Sequence, residues 1–327
     1  MTDLRGAMAA ADVSAAAIAP PTSSERRLGR RSRQLDELVL LLGPALVLFV
    51  GFVLVPIGIA AYYGLYKWTG YGPLSDFSGL HNYKVILTDP IFRSSLIHNV
   101  IIAILSLIIQ LPISIGIALL MNRKMGGGSF LRVAVFAPYV VSLATTAVLW
   151  SLLLEPNGFV DELFRAAGLG GLVHFWLADP TIVLYTMFVV LTWQYIGFGI
   201  ILLLAGLQGI PSELREAAAI DGASAWQTTR HITLPLLGPT IRIWIFLSMI
   251  GSLQVFDLVW IMTLGGPANA SSTMVFYMIF FGFHSQEFGF GSAAAVILFI
   301  ICFVFAVLYQ RYVLRRDTEG ALTRAVR

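Results

Sequence analysis

The sequence predicts an all-α integral membrane protein with six transmembrane helices, and three observations carry that prediction. The 327 residues are 57% hydrophobic and 12% charged, with a mean hydropathy of +0.82, whereas a soluble domain carries about 25% charge. Six apolar stretches are each long enough to supply the roughly 20 helical residues that cross a bilayer core of about 30 Å. Basic residues fall almost wholly on alternate connections, which is how cytoplasmic loops are marked.

Residues 1–34 are rich in Ala, contain Pro20 and Pro21, end in a run of arginines and lack the large apolar residues that build a core. They read as a disordered, basic cytoplasmic tail. The tail is too long for a signal-peptide leader, so the first helix is expected to stay uncleaved. The membrane domain then occupies 35–316, with helices near 38–62, 96–121, 132–154, 181–206, 240–263 and 289–312. Pro44, Pro56, Pro112 and Pro138 fall inside or at the ends of these crossings, where kinks are expected. The fifth crossing is read through Arg242 at its start and Asp257 inside it, while the stretch from Thr273 to Phe283 is too short to cross. Residues 317–327 form a second cytoplasmic tail.

One side of this arrangement gathers the N-terminal arginines, Arg123, Lys124, Arg132, Arg215, Arg230, Arg242 and the C-terminal arginines. The other side holds Lys67, Lys84, Arg93 and Arg165. Both termini are therefore expected in the cytoplasm. The net charge of +3 follows from this topology signal and from anionic headgroups, without a nucleic acid partner.

Several chemistries drop out at once. A single cysteine, Cys302, leaves no internal disulfide framework and no Cys-rich metal site. The histidines His81, His98, His174, His231 and His284 lack the close spacing of a helical zinc site. Gly126, Gly127 and Gly128 are not followed by the Lys-Ser/Thr of a phosphate loop, so ATP hydrolysis in this chain is not expected and the triplet reads as a tight inner turn. No catalytic set of His, Asp and Glu lies within the crossings.

The connection 208–239 between the fourth and fifth crossings is the most informative segment. Pro211 and Ser212 suit a helix start, Glu213 and Glu216 favour its positive end, and Gly222 suits its stop. Ser224 can cap a second helix, which Pro235 is expected to end. Leu214, Ala217, Ala218 and Ile220 are apolar among the charged Glu213, Arg215, Glu216 and Asp221. Small alanines beside a glycine turn make a knob that fits a groove on a partner.

Glu216, Ala217, Ala218, then Gly222 after three intervening residues, Ile232 after nine more, Leu234 and Pro235 resemble the complete EAA signature of ABC importer permease subunits. The resemblance implies the type I importer permease fold and makes this helix pair, Asp221 included, the region that couples to a separate ATPase. A second stretch, Phe256 to Pro267 (FDLVWIMTLGGP), is similar to one in sugar-type permeases of the maltose and glycerol-phosphate class. The chain departs from the maltose subunit in lacking a large extracytoplasmic insertion, which leaves the substrate open. The family implies a cytoplasmic (inner or plasma) membrane of a prokaryote, a second permease subunit in a heterodimer, a cytoplasmic ABC ATPase dimer that carries ATP and Mg, and an extracytoplasmic solute-binding protein. No cofactor is expected in this chain. The outer loops read equally well as connectors or as the docking face for the binding protein.

Asp257 is the only acidic residue within an expected span, which makes it a functional candidate. Gly251, Gln254 and Asp257 follow at three-residue steps and share a polar stripe. Counted at about 1.5 Å per residue, Asp257 and Gln254 lie about 10 and 15 Å below the outer surface, and Trp193 and Gln194 on the fourth helix lie at about 16 to 18 Å. Aromatic faces stack on sugar rings and amides or carboxylates take hydroxyls, so Trp193, Gln194, Tyr195, Gln254 and Asp257 are candidates to line a carbohydrate path. The competing structural reading is that Gln254 and Asp257 bond to a neighbouring helix or to the second permease while Trp193 and Tyr195 pack. The functional alternative is an ion-coupled secondary transporter of a small polar solute, which would call for several intramembrane ionisable groups and two related halves.

Overall fold

The computed structural model describes residues 40–122 and 128–315. Both expected tails, and Gly126 and Gly127 of the glycine turn, lie outside the described residues. Within them the protein is helical, with a single isolated antiparallel bridge between Tyr66 and Phe77. The helices are α1 (Leu40–Tyr63), α2 (His81–Thr88), α3 (Pro90–Met121), α4 (Gly128–Val140), α5 (Leu143–Leu153), α6 (Phe159–Ala166), α7 (Val183–Gln208), α8 (Ser212–Ile220), α9 (Ala225–Leu253), α10 (Met274–His284) and α11 (Phe288–Leu314).

The described residues from Leu40 to Ile59, most of α1, form one unit and those from Ala60 form the other. Among the described residues, α1, α3, α7, α9 and α11 are long and apolar enough to cross a membrane, and the bent pair α4–α5 makes a sixth when counted as one span. Apolar α10 is shorter, in keeping with a segment that does not cross.

Three spans differ from the expected ones for identifiable reasons. The second begins at Pro90 rather than near 96, because Asp89 caps it, accepting the Ile91 N–H at 2.7 Å, and Pro90 occupies the first turn where no donor is missed. The third, expected as one helix over 132–154, bends by 95° between α4 and α5. Pro138 removes a donor from the last turn of α4, and Ser142 caps α5 by accepting the Thr145 N–H at 3.2 Å. The fifth, expected over 240–263, starts at Ala225 and ends at Leu253; residues 254–256 are not helical, and helix resumes over 257–263.

Proline does not stop these helices where a wider turn precedes it. The π-helical turns Val50–Leu54, Ser106–Gln110 and Thr229–Thr233 come just before Pro56, Pro112 and Pro235. In each case the residue ahead of the proline, Val55, Leu111 or Leu234, donates its N–H to the carbonyl five residues back. The extra residue in the turn gives the pyrrolidine ring room that a regular α-turn denies it. Pro235 therefore does not end the second helix of the 208–239 connection, as its sequence suggests; α9 runs through it.

The interior of the second unit is built around α7. Ile200, Leu203 and Leu207 pack with Leu237 and Trp244 of α9, and Met187 and Val190 join Leu258 and Val259 beyond the break. Close approach depends on glycine. Gly197 of α7 meets the Val135 backbone of α4, and Gly282 of α10 faces Gly291 of α11 backbone to backbone. Small residues at such crossings let dispersion contacts replace the hydrophobic effect that lipid does not supply.

Candidate functional site

Two regions bring chemistry together. The first is the helix pair α8–α9. Gly222 sits at φ +78°, the Ala223 N–H reaches the Ala218 carbonyl at 2.9 Å, and the Gly222 N–H reaches Ala219 at 3.1 Å. This is a Schellman stop, in which a left-handed residue satisfies the last carbonyls of α8. Ser224 then opens α9 with a capping box: its Oγ accepts the Gln227 N–H, while Gln227 Oε1 accepts the Ser224 N–H at 2.7 Å.

The stop and the cap fix the angle between two rigid helices, and most of what they display is open. Glu216, Ala217, Asp221, Gly222 and Pro235 are exposed, Ile232 and Leu234 are half-buried, and Ala218 is tucked inward. Ile220 is 87% exposed and Trp226 is 66% exposed. Trp226 was legible only as part of a helix. Its signal was a large aromatic side chain two residues after a cap, with no core to join.

The second region is a cavity of about 320 Å³ walled by α3, the α4–α5 bend, α7, α9 and the break after α9. Tyr195, Gln254 and Asp257 line it together with Gly251. Gln254 and Asp257 are exposed on the open side of the wall. Asp257 lies beyond the long helix α9 and opens the helical turn after the break, so the three-residue stripe does not run along one continuous helix. Ser106, Gln110 and Tyr139 add polar groups that sequence reading missed, because one lies in a π-turn, one ends it and one precedes a bend.

Two candidates are absent from the cavity wall. Trp193 packs edge-on against Trp150, with centroids 5.6 Å apart. Gln194 is buried, donating through Nε2 to the Val141 carbonyl at 2.8 Å and accepting the Thr146 hydroxyl through Oε1 at 2.5 Å. Both of its amide groups are used in packing.

Between α5 and α7, Asp161 organises the connection. It accepts the Trp176 indole N–H at 2.7 Å and the Asn157 backbone N–H at 2.8 Å. The Trp176 bond, then the Asn157 bond and the nearby Arg165 charge, hold its carboxyl below the usual carboxylate range. Among the described residues no group of His, Cys, Asp and Glu could hold a metal ion.

Residues 110–317 match the family model described as binding-protein-dependent transport system inner membrane component. A probable ABC transporter permease protein of Pyrococcus horikoshii is 36% identical over 282 residues, 86% of this chain and 96% of the relative. The diacetylchitobiose uptake system permease protein of Streptomyces coelicolor is 31% identical over 315 residues, 92% of this chain and 89% of the relative. The crystal structure of a bacterial alginate ABC transporter, in complex with an alginate pentasaccharide-bound periplasmic protein, contains a chain that superposes with a TM-score of 0.75 at 22% identity. The match covers 88% of this chain and 98% of that one.

Proposed function

The chain belongs to the family of inner membrane components of binding-protein-dependent transport systems, and on that premise we propose that its cargo is a carbohydrate, a di- or oligosaccharide or a related sugar derivative. It is the multi-pass permease subunit of an ABC importer, a pore component with ATP hydrolysis on a separate subunit. The ion-coupled alternative falls with this assignment.

Coupling within this reading rests on the union of the two regions by one helix. α9 is 29 residues long, about 43 Å at the helical rise, and joins the capping box at Ser224 to the break at Gln254. A displacement at Gly222 is thereby delivered to the cavity wall as motion of a rod. ATP and Mg bind a cytoplasmic ATPase dimer, whose closure pulls the surface around Glu216 and Trp226. The rod then turns the cavity from inward-facing to outward-facing, and an extracytoplasmic binding protein delivers solute to it. A second permease completes the pore as a heterodimer, and both termini of this chain face the cytoplasm.

The cavity has the mixed character that sugars require: Tyr195 and Tyr139 offer ring faces, while Gln254, Gln110 and Asp257 offer hydrogen bonds to hydroxyls. A carboxylate exposed at this point of a membrane chain is costly against lipid, which favours a watered path or a subunit seam on that side. The test is calorimetry of the accompanying binding protein with a panel of di- and oligosaccharides, followed by uptake of any ligand found in cells with and without this chain. Binding of a saccharide and loss of its uptake on deletion are expected. Saturable binding of an amino acid or an inorganic ion instead would overturn the assignment of cargo.

A further inference from the structure

The two breaks that shape the cavity are held in the same manner, by a buried carboxamide reaching across from an unbroken helix. At the α4–α5 bend the Thr145 N–H is turned to Ser142 Oγ, so the Val141 carbonyl loses its helical donor, and Gln194 of α7 supplies one at 2.8 Å. At the end of α9, Phe256 leaves the helix, and the orphaned Ser252 carbonyl receives the Asn99 Nδ2–H of α3 at 2.6 Å. Asn99 Oδ1 meanwhile accepts the Met274 N–H at 2.9 Å, in the first turn of α10. Thr273 completes the second latch by donating to the Val255 carbonyl at 2.7 Å.

Orphaned helix-end carbonyls away from water must find donors, and a break persists where a side chain provides one. Asn99 and Gln194 are 0% and 2% exposed, and neither lines the cavity. What they hold does line it: Tyr139 and Leu143 flank one break, and Gln254, Val255, Phe256 and Asp257 form the other. We propose that Asn99 and Gln194 are positioning residues of the solute path, latching the two helix breaks that aim Tyr139, Gln254 and Asp257 into the cavity. The assignment rests on reading that cavity as the path.

The experiment reads the wall itself and requires no solute, so it can fail while carbohydrate uptake stands, and the reverse. In the full transporter carrying Cys302→Ser, single cysteines are placed as Asp257→Cys, Tyr139→Cys and, on the coupling surface, Ala217→Cys. Their labelling rates by a negatively charged methanethiosulfonate are measured in permeabilised membranes. Asn99→Leu is expected to change the rate at position 257, and Gln194→Leu the rate at position 139, by about fivefold or more, the factor corresponding to one lost hydrogen bond to a buried group. The rate at position 217 should stay unchanged, which general destabilisation would not allow. Where a leucine variant fails to accumulate, Asn99→Ala and Gln194→Met remove the donor without adding a branched side chain and are read in the same way. Smaller changes at positions 257 and 139, equal changes at position 217, or failure of every variant to accumulate would each overturn the assignment in favour of packing alone.

Discussion

The Tyr277 hydroxyl donates to Asp89 Oδ2 across 2.5 Å, although the two residues are 188 positions apart in the chain. Asp89 uses its other oxygen to cap α3, and Tyr277 is fully buried on α10, so one carboxylate ties the start of a long apolar helix to a short one. Tyr277→Phe keeps the ring contact with Phe92 and the cap on Ile91 but removes this bond. Hydrogen bonds to charged groups contribute about 1.5 to 3 kcal/mol, and because Asp89 retains one donor the loss should lie near the lower value. Thermal unfolding of the purified complex in detergent should show a destabilised chain whose assembly is otherwise normal; an unaltered melting temperature would mean that the bond is offset by water in the folded protein.

The surface of α8 and the start of α9 makes a second expectation. Exposed tryptophans at the centre of protein contacts commonly contribute about 2 kcal/mol or more, and Trp226 is largely exposed, as is Ile220 at the end of α8. Trp226→Ala should weaken retention of the ATPase subunits about 30-fold in co-purification titrations, and Glu216→Lys should abolish uptake at a normal membrane level of the chain. Gly222 supplies a control on geometry. A Cβ there meets nothing within 4 Å, so any cost of Gly222→Val comes from the positive φ, and Gly222→Asn should be milder because Asn tolerates that region. Equal defects in the two variants would point to a side-chain clash with the ATPase rather than to backbone strain.

What was legible in the sequence follows the reach of each interaction. The knuckle could be read because its determinants are local: Gly222 lies four residues after Ala218, and Ser224 three before Gln227. The long spans α7 and α11 could be placed because an uncharged apolar run reports burial in lipid directly. The breaks could not. Hydropathy weighs Val141 and Val255 alike whether they are helical or not, and the donors that let their carbonyls leave the helix sit 53 and 18 residues away, while Asn99 reaches Ser252 over 153. For the same reason Gln194, a polar residue in an apolar run, looked like a contact for solute when its amide serves the bend. Pro235 misled in the opposite direction, since a π-turn ahead of it absorbs the ring.

The connection between α5 and α7 should respond to acid through Asp161. A carboxyl whose folded value is lowered stabilises the fold while it is ionised, so the contribution is complete above the unfolded value of about 3.9 and disappears as the pH falls through the lower folded value. Trp176 reports the event, because its indole loses a charged acceptor. In a His174→Gln background, which removes the imidazole lying edge-on to Trp176 at 5.9 Å, the difference in fluorescence between chains with and without Trp176→Phe should stay flat from about pH 7 to about pH 5 and change below about pH 4. In Asp161→Asn, where the amide oxygen still accepts but no proton is taken up, the acid step should be missing; its persistence would assign the transition to another group.

Gln254 and Asp257 carry the most direct test of the path. If they take sugar hydroxyls, Gln254→Leu and Asp257→Leu each leave a hydroxyl without its partner, and the apparent affinity for uptake should fall by about 5- to 100-fold, the span of one lost hydrogen bond to a buried group. The binding protein's own affinity stays constant, so the change separates the pore from delivery. Asp257→Asn then isolates charge from hydrogen bonding: a neutral saccharide finds an acceptor in either side chain and should be transported with nearly natural kinetics. A severe defect in Asp257→Asn alongside a mild one in Gln254→Leu would mean that the carboxylate serves a cation or a seam between subunits. Natural kinetics in both leucine variants, at matched protein levels, would remove these residues from the path and leave Tyr139 and Tyr195 as the part of the wall to probe next.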